Sequence, residues 1–281
     1  MHGNQGRSLY CCMDFLRNKT KQLTAELHIF LSEIYEDPIL SIHGIRKRSK
    51  FLRALIKLNP ALPNELTKRL NIMSGLLAPY RDAQVNMDTY SSLVNLSIMN
   101  ADPSIENILK QNEFLQKGLP DESEMDDLNR QLEMFIEKLS TSNLDISQTI
   151  IIEGINRAHL SGIKALSKAQ VDPKSEIVHN WRKKTKQLWY QLRFVFGDEM
   201  ADPDHPCAQS ESLGKYLGEI HDLDVFIELL SPDRHASQID AIRGKRQSLV
   251  SASFTLGALL YSTGNLNISA LINEGISPNT Q

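Results

Sequence analysis

Apolar positions recur at three- and four-residue spacing along nearly the whole chain, and the two-residue alternation of strands is scarce. The pattern predicts helices over 14–36, 40–58, 64–77, 80–97, 104–116, 124–139, 147–169, 174–196, 208–230 and 236–262. Breaks fall at Pro38, Pro60, Pro63, Pro103, Gly118 with Pro120, Pro173, Pro203, Pro206 and Pro232, because proline disfavours helical geometry in the residue before it. Short connections between helices of this length predict an all-α fold of up-and-down antiparallel bundles.

Two of these helices carry the same polar face. His43, Arg46, Lys47, Lys50 and Lys57 match His179, Arg182, Lys183, Lys186 and Arg193, each pair 136 residues apart. At ~100° per residue, offsets of 0, 3, 4, 7 and 14 gather on about a third of the helix circumference, so each set of cations shares one face. The opposite faces are apolar in both copies: Ile45, Leu52 and Ile56 match Trp181, Leu188 and Leu192. No acidic residue occurs between Pro38 and Asn64, or between Ile177 and Phe196. Like charges at these spacings cost a few tenths of a kcal/mol per pair, and no carboxylate on the same helix offsets that. An external polyanion would.

A second element also repeats. Tyr80-Arg81-Asp82-Ala83-Gln84-Val85 parallels Ile220-His221-Asp222-Leu223-Asp224-Val225, now 140 residues apart. A small insertion within Asp202–Cys207 accounts for the drift. Two readings stay open: the aspartates orient neighbouring Arg and Lys side chains, or Arg81 and His221 themselves join the anion site. The repeat predicts two tandem, pseudo-symmetric four-helix bundles, covering 16–140 and 141–275, behind a flexible stretch at 1–15.

Composition confines the chemistry. A chain of 281 residues with 41% hydrophobic and 6% aromatic content can bury a full core. Its formal net charge is −3 and its pI about 6.3, so the cationic stripes form a local patch, balanced by acidic stretches such as Asp121–Asp127. Three cysteines, Cys11, Cys12 and Cys207, suggest no disulfide framework and fit a reducing compartment. Without a signal-like apolar run or a stretch of membrane-spanning length, a cytoplasmic location with no membrane contact is expected. No metal site and no cofactor are expected.

The H-x-x-R-K-x-x-K helix, its repeat, the R-D-x-x-V and H-D-x-D-V elements and the all-helical background resemble the CHAD domain, the conserved histidine alpha-helical domain. The stretch from Val178 to Phe196 is an especially close match, and the resemblance covers roughly 16–262. It implies two four-helix bundles about a pseudo-two-fold axis whose basic helices face a shared groove. It also implies a non-catalytic module that binds inorganic polyphosphate, often at polyphosphate granules. No Glu-x-Glu-x-Lys strand of the CYTH triphosphatase domain occurs, so the resemblance is to a stand-alone member. One departure is His159, at a site where the family tends to carry an aromatic residue.

On this reading the polyphosphate site comprises the ten stripe residues with Arg81 and His221. The three arginines of the stripes can fork two phosphate oxygens, while the lysines act as mobile point charges. His43 and His179 are expected to be neutral near pH 7 and to gain a proton beside phosphate oxygens. Arg53 sits at the stripe margin, whereas Arg48 and Lys184 point away as solvated charges. Arg157, Lys164 and Lys168 share another helix face, and Arg243 and Arg246 lie near the last helix; for these, a solvated face and a role in the groove are both open.

Three alternatives have sequence support. An HD-type metal-dependent phosphohydrolase needs a His, a His-Asp dyad and an Asp, an order supplied by His179, His221, Asp222 and Asp240. Cations at Arg182 and Lys183 oppose a divalent ion there. A histidine phosphotransfer domain is opposed by Lys47 and Lys183, which obstruct a docking partner. Nucleic acid could occupy the same groove, although the aromatic interleaving of single-strand binders is missing, with only Trp189 and Tyr190 near the stripe margin.

Overall fold

The computed structural model describes residues 6–112, 114, 118–197, 202–262, 266, 268 and 270, with the backbone alone over 6–15. Cys11, Cys12 and the rest of the expected flexible stretch at 1–15 lie outside the described side chains. The chain is all-α. Its described helices are α1 (Gly6–Ser32), α2 (Pro38–Ile56), α3 (Asn64–Leu76), α4 (Ala78–Asn95), α5 (Pro103–Lys110), α6 (Glu122–Ser140), α7 (Gln148–Val171), α8 (Ser175–Phe196), α9 (Pro206–Glu228) and α10 (Ala236–Leu260).

Helix starts follow local chemistry. Pro38, Pro103 and Pro206 open helices, because the first turn has no use for the missing N–H. The residue before each caps it: Asp37 accepts from the Leu40 amide, Asp102 from the Ser104 amide and His205 from the Cys207 amide. Asp121 and Glu124 form a reciprocal capping box at α6. Several elements therefore begin a residue or two before the positions expected from the breaks.

The predicted apolar faces are the buried ones. Ile45 and Leu52 of α2 and Leu188 and Leu192 of α8 are fully buried, as is Trp181 but for 1% of its surface. Trp181 stacks on Phe254 with ring centroids 5.9 Å apart. In the first half α2 packs between α1 and α3; in the second α8 packs between α7 and α9, and α9 against α10. The first half departs from sequential order, since α3 packs chiefly on α6 rather than on α4.

The halves meet along α2 against α8 and α4 against α9. Across the first pair, the buried Gln191 amide donates to the Ala54 carbonyl at 2.9 Å, and the Phe51 and Tyr190 rings stack at 5.1 Å. A polar strut joins α5 to α10: Ser104 Oγ lies 2.9 Å from His235 Nε2, and Gln238 donates to Asp102 at 3.0 Å.

The repeat is unequal in one respect. Under the 140-residue offset, α3 and α4 together correspond to the single helix α9. Pro79, which has no N–H, sits where α4 begins and splits the first copy at Leu77; α9 has no such residue and runs unbroken.

Two glycines of α10 test the packing. A Cβ at Gly257 would fall 2.7 Å from Trp181 Cζ2, whereas one at Gly244 would meet nothing within 4 Å. Gly257→Ala is expected to cost about 1–3 kcal/mol as the buried ring is displaced. Gly244→Ala should stabilise by roughly 0.5–1 kcal/mol through helix propensity. Urea denaturation midpoints check both; equal shifts of one sign would contradict the packing of Trp181 on α10.

Candidate functional site

The apolar contacts of α2 with α8 leave their cationic faces turned toward a common cavity of about 780 Å³. His43, Arg46, Lys47, Lys50, Arg53 and Lys57 enter from the α2 side, and His179, Arg182, Lys183 and Lys186 from α8. The walls beside them are also repeat-related: α4 supplies Arg81, Asp82 and Val85, and α9 supplies His221, Asp222 and Val225. Nine Lys and Arg side chains thus face two aspartates among the described lining residues.

Residues of the second element stand at the same cavity. Arg81 and His221 line the cavity, and the aspartates also steady the arginines. Asp82 lies 3.8 Å from Arg46, whose Nη1 donates to the Ser74 carbonyl at 2.6 Å. Asp222 lies in the field of Arg182. Burial pushes the Asp222 carboxyl up, against the pull of Arg182, Arg81 and Lys50. The imidazoles of His179 and His221 lie with centroids 4.2 Å apart; the matching place beside His43 is taken by Arg81.

Not every expected residue converges here. Arg193 leaves the cavity lining, its guanidinium over the rings of Phe51 (5.6 Å) and Trp189 (5.5 Å). Its counterpart Lys57 stays in the lining and donates to Gln187 Oε1 at 3.3 Å. The reason lies in length: α2 ends at Ile56 and releases Lys57 as a cap residue. The longer α8 carries Arg193 into the interface with α2 instead. Arg157 donates to the Leu58 carbonyl at 3.0 Å, capping the end of α2 rather than facing the cavity. Lys164 and Lys168 are exposed on α7, and neither lines the cavity. Arg243 pairs with Asp240, and Arg246 with Asp224 at 2.5 Å, both away from the cavity. Asp240 therefore does not join His179, His221 and Asp222. Arg48, expected to be a solvated charge, instead pairs with Glu26 at 2.6 Å and covers the Phe30 ring.

Several lining groups were not singled out by the sequence pattern. Thr67, Asn71, Ser74 and Gly75 of α3 form one wall, and Asn71 accepts a hydrogen bond from Arg53. On α9, Gly214 and Gly218 lie beneath Lys186 and Arg182: a Cβ at Gly214 would sit 3.1 Å from Lys186 Cε, and one at Gly218 3.6 Å from Arg182 Nε. The signal was present as a Gly-x-x-x-Gly step in a helix interior. A missing side chain there lets a long cationic arm cross the helix to reach the cavity.

Crowding depresses the charge of this cluster. Burial, followed by Arg182, Arg46 and Arg53, pulls the Lys50 amine down to about 7. Burial, followed by Arg182, pulls Lys186 down to about 8, while its Nζ lies 4.3 Å over the Trp189 ring. The histidines of the cavity are shifted in the same direction. Burial and neighbouring cations hold His43 below its ordinary value and bring His179 and His221 to about 4. In the free protein these rings are neutral near pH 7, so the groups that titrate there are lysines.

Comparison with known proteins places this arrangement. The family model described as the CHAD domain matches residues 16–231, a span that takes in every cavity-lining residue and stops before α10. Among solved structures, the chain is similar to the CHAD domain from the plant Ricinus communis. Identity is 19% over 87% of this chain and 92% of that one, with a TM-score of 0.56, a likeness of fold. No curated protein matches the chain.

The lysine shifts have a signed consequence for stability. Folded Lys50 and Lys186 lose their protons near 7 and 8, whereas the unfolded chain keeps them to about 10.4. Between those limits the unfolded state binds more protons, so stability rises with pH from about 7 to about 10. The denaturation midpoint of the free protein is expected to climb across that window, and Lys50→Met to flatten the climb. An unchanged pH profile in the variant would contradict the burial of charge at Lys50.

Proposed function

Since the chain belongs to the CHAD-domain family, we propose that it is a non-catalytic module that binds inorganic polyphosphate in the cavity between its two halves. The observation that carries this reading is the excess of nine Lys and Arg over two aspartates around one cavity, contributed by both copies of the repeat. Polyphosphate bears about one negative charge per phosphate, and neutralising several in a row releases their counterions. The guanidinium groups of Arg46 and Arg182 suit two-oxygen contacts with a phosphate, and the lysines tolerate an irregular chain.

The ligand also restores what crowding removes. Phosphate oxygens beside Lys50 and Lys186 favour their protonated forms, so binding takes up protons near neutral pH. A metal-dependent hydrolase would place its ion among Lys50, Arg81 and Arg182, which repel it. The proposed setting is the cytoplasm, with polyphosphate granules as the site of association. Among the described residues no helix is long and apolar enough to cross a membrane.

Calorimetric titration with long-chain polyphosphate, DNA and RNA at physiological salt tests the ligand class, polyphosphate being expected to bind tightest. Replacing Arg46, Lys50, Arg182 and Lys186 together by Gln should preserve helicity, since the buried face is untouched. Polyphosphate affinity should fall at least about 100-fold, and the slope of log K on log salt should shrink by up to ~0.7 per lost contact. Wild-type affinity and slope in that variant would refute the site, and tighter binding of DNA or RNA would refute the ligand.

A further inference from the structure

Within the cavity Lys50 differs from Lys57 and Lys186. It projects from the middle of α2 with Arg46 and Arg53 on its own helix and Arg182 and Lys186 across the cavity. Among the described residues no carboxylate pairs with it, and the cavity aspartates sit nearer to arginine: Asp82 beside Arg46, Asp222 in the field of Arg182. Lys186 is held otherwise, over the Trp189 ring and within the field of Glu211. Lys57 is hydrogen-bonded to Gln187.

A lysine half-buried and ringed by cations keeps its nitrogen lone pair available, which is the environment of lysines that attack carbonyl carbon. The surrounding guanidiniums cannot be deprotonated and remain as an anchor for a phosphate monoester. We propose that Lys50 is a covalent capture site for phosphorylated aldehydes, whose phosphate is held by Arg46 and Arg182 while the carbonyl meets Nζ. The inference rests on the anion-binding reading of the cavity.

The step needs no further reagent. The Nζ lone pair adds to the aldehyde carbon, and the carbonyl oxygen takes up the proton released from nitrogen, giving a carbinolamine. Loss of that hydroxyl as water leaves a C=N bond to Nζ, protonated to an iminium. Amine and aldehyde thus give imine and one water, with no change of oxidation state. The bulk of the cavity, about 780 Å³, accommodates a small phosphorylated aldehyde. The depressed basicity of Lys50, brought to about 7, adds to the same effect by leaving a substantial fraction as free amine near neutrality.

The test uses the full chain, with pyridoxal 5′-phosphate as probe, borohydride to trap the imine, and peptide mass spectrometry to locate it. Lys50 is expected to label at least tenfold faster than the exposed Lys164 and Lys168. Pyridoxal, which lacks the phosphate and closes largely to an internal hemiacetal, should label all three lysines slowly and without preference for Lys50. Excess tripolyphosphate should suppress labelling at Lys50 and leave Lys164 and Lys168 unchanged, and Lys50→Arg should abolish that adduct alone. Labelling of Lys50 by pyridoxal 5′-phosphate at the rate of the exposed lysines, or an equal preference for Lys50 with pyridoxal, overturns the proposal. If polyphosphate binds by calorimetry while Lys50 fails to label, the capture site alone falls. If Lys50 labels in a phosphate-dependent way while polyphosphate does not bind, the polyphosphate reading alone falls.

Discussion

Packing of α2 against α8 holds together two surfaces that repel each other, and the rest of the molecule is arranged around that contact. Behind the cations lie Ile45, Leu52, Leu188 and Leu192, fully buried, with the Gln191 amide tied to the Ala54 carbonyl. Each buried aliphatic side chain contributes about 1.5–3 kcal/mol. The like-charge repulsion across the cavity is relieved in part by the ready loss of protons from Lys50 and Lys186. The apolar packing behind each stripe, together with the contacts of Phe51 with Tyr190 and of Ala54 with Gln191 between the helices, therefore holds the cationic faces at one cavity.

How the field is carried follows from side-chain chemistry. Arginine keeps its charge under burial and spends its donors on fixed acceptors, as Arg46 does at Ser74 and Arg53 at Asn71. Lysine yields its proton sooner than arginine, which makes Lys50 and Lys186 the adjustable members of the set. Histidine yields earlier still. The residues that give the sequence pattern its most recognisable letters therefore contribute neutral rings, while the charge resides in their neighbours three and seven positions on.

Much of this was legible in the chain because helical phase is a local property. The match of His43 through Lys50 to His179 through Lys186 placed both stripes on one face each, and the buried partners Ile45 and Trp181 followed from the same spacing. Arg193 escaped, because phase says nothing about where a neighbouring helix ends; it lies as close to the stripe as Lys57 but beyond the cavity. Arg48 escaped for a similar reason, its partner Glu26 being on another helix. Gly214 and Gly218 went unread because their purpose is to be absent space beneath Arg182 and Lys186, visible only once α9 is set beside α8.

The break between α3 and α4 makes the two walls of the cavity mechanically unlike. In α9 every residue belongs to one hydrogen-bonded rod, so its amides exchange with solvent only when a long segment loosens together. The α3–α4 wall comprises two shorter cooperative segments meeting at Leu77, where Pro79 offers no N–H to the Gly75 carbonyl. Opening one short segment sacrifices fewer contacts than opening the whole, so local unfolding is cheaper on this side. A duplicated chain has in this way acquired a stiff wall and a yielding one.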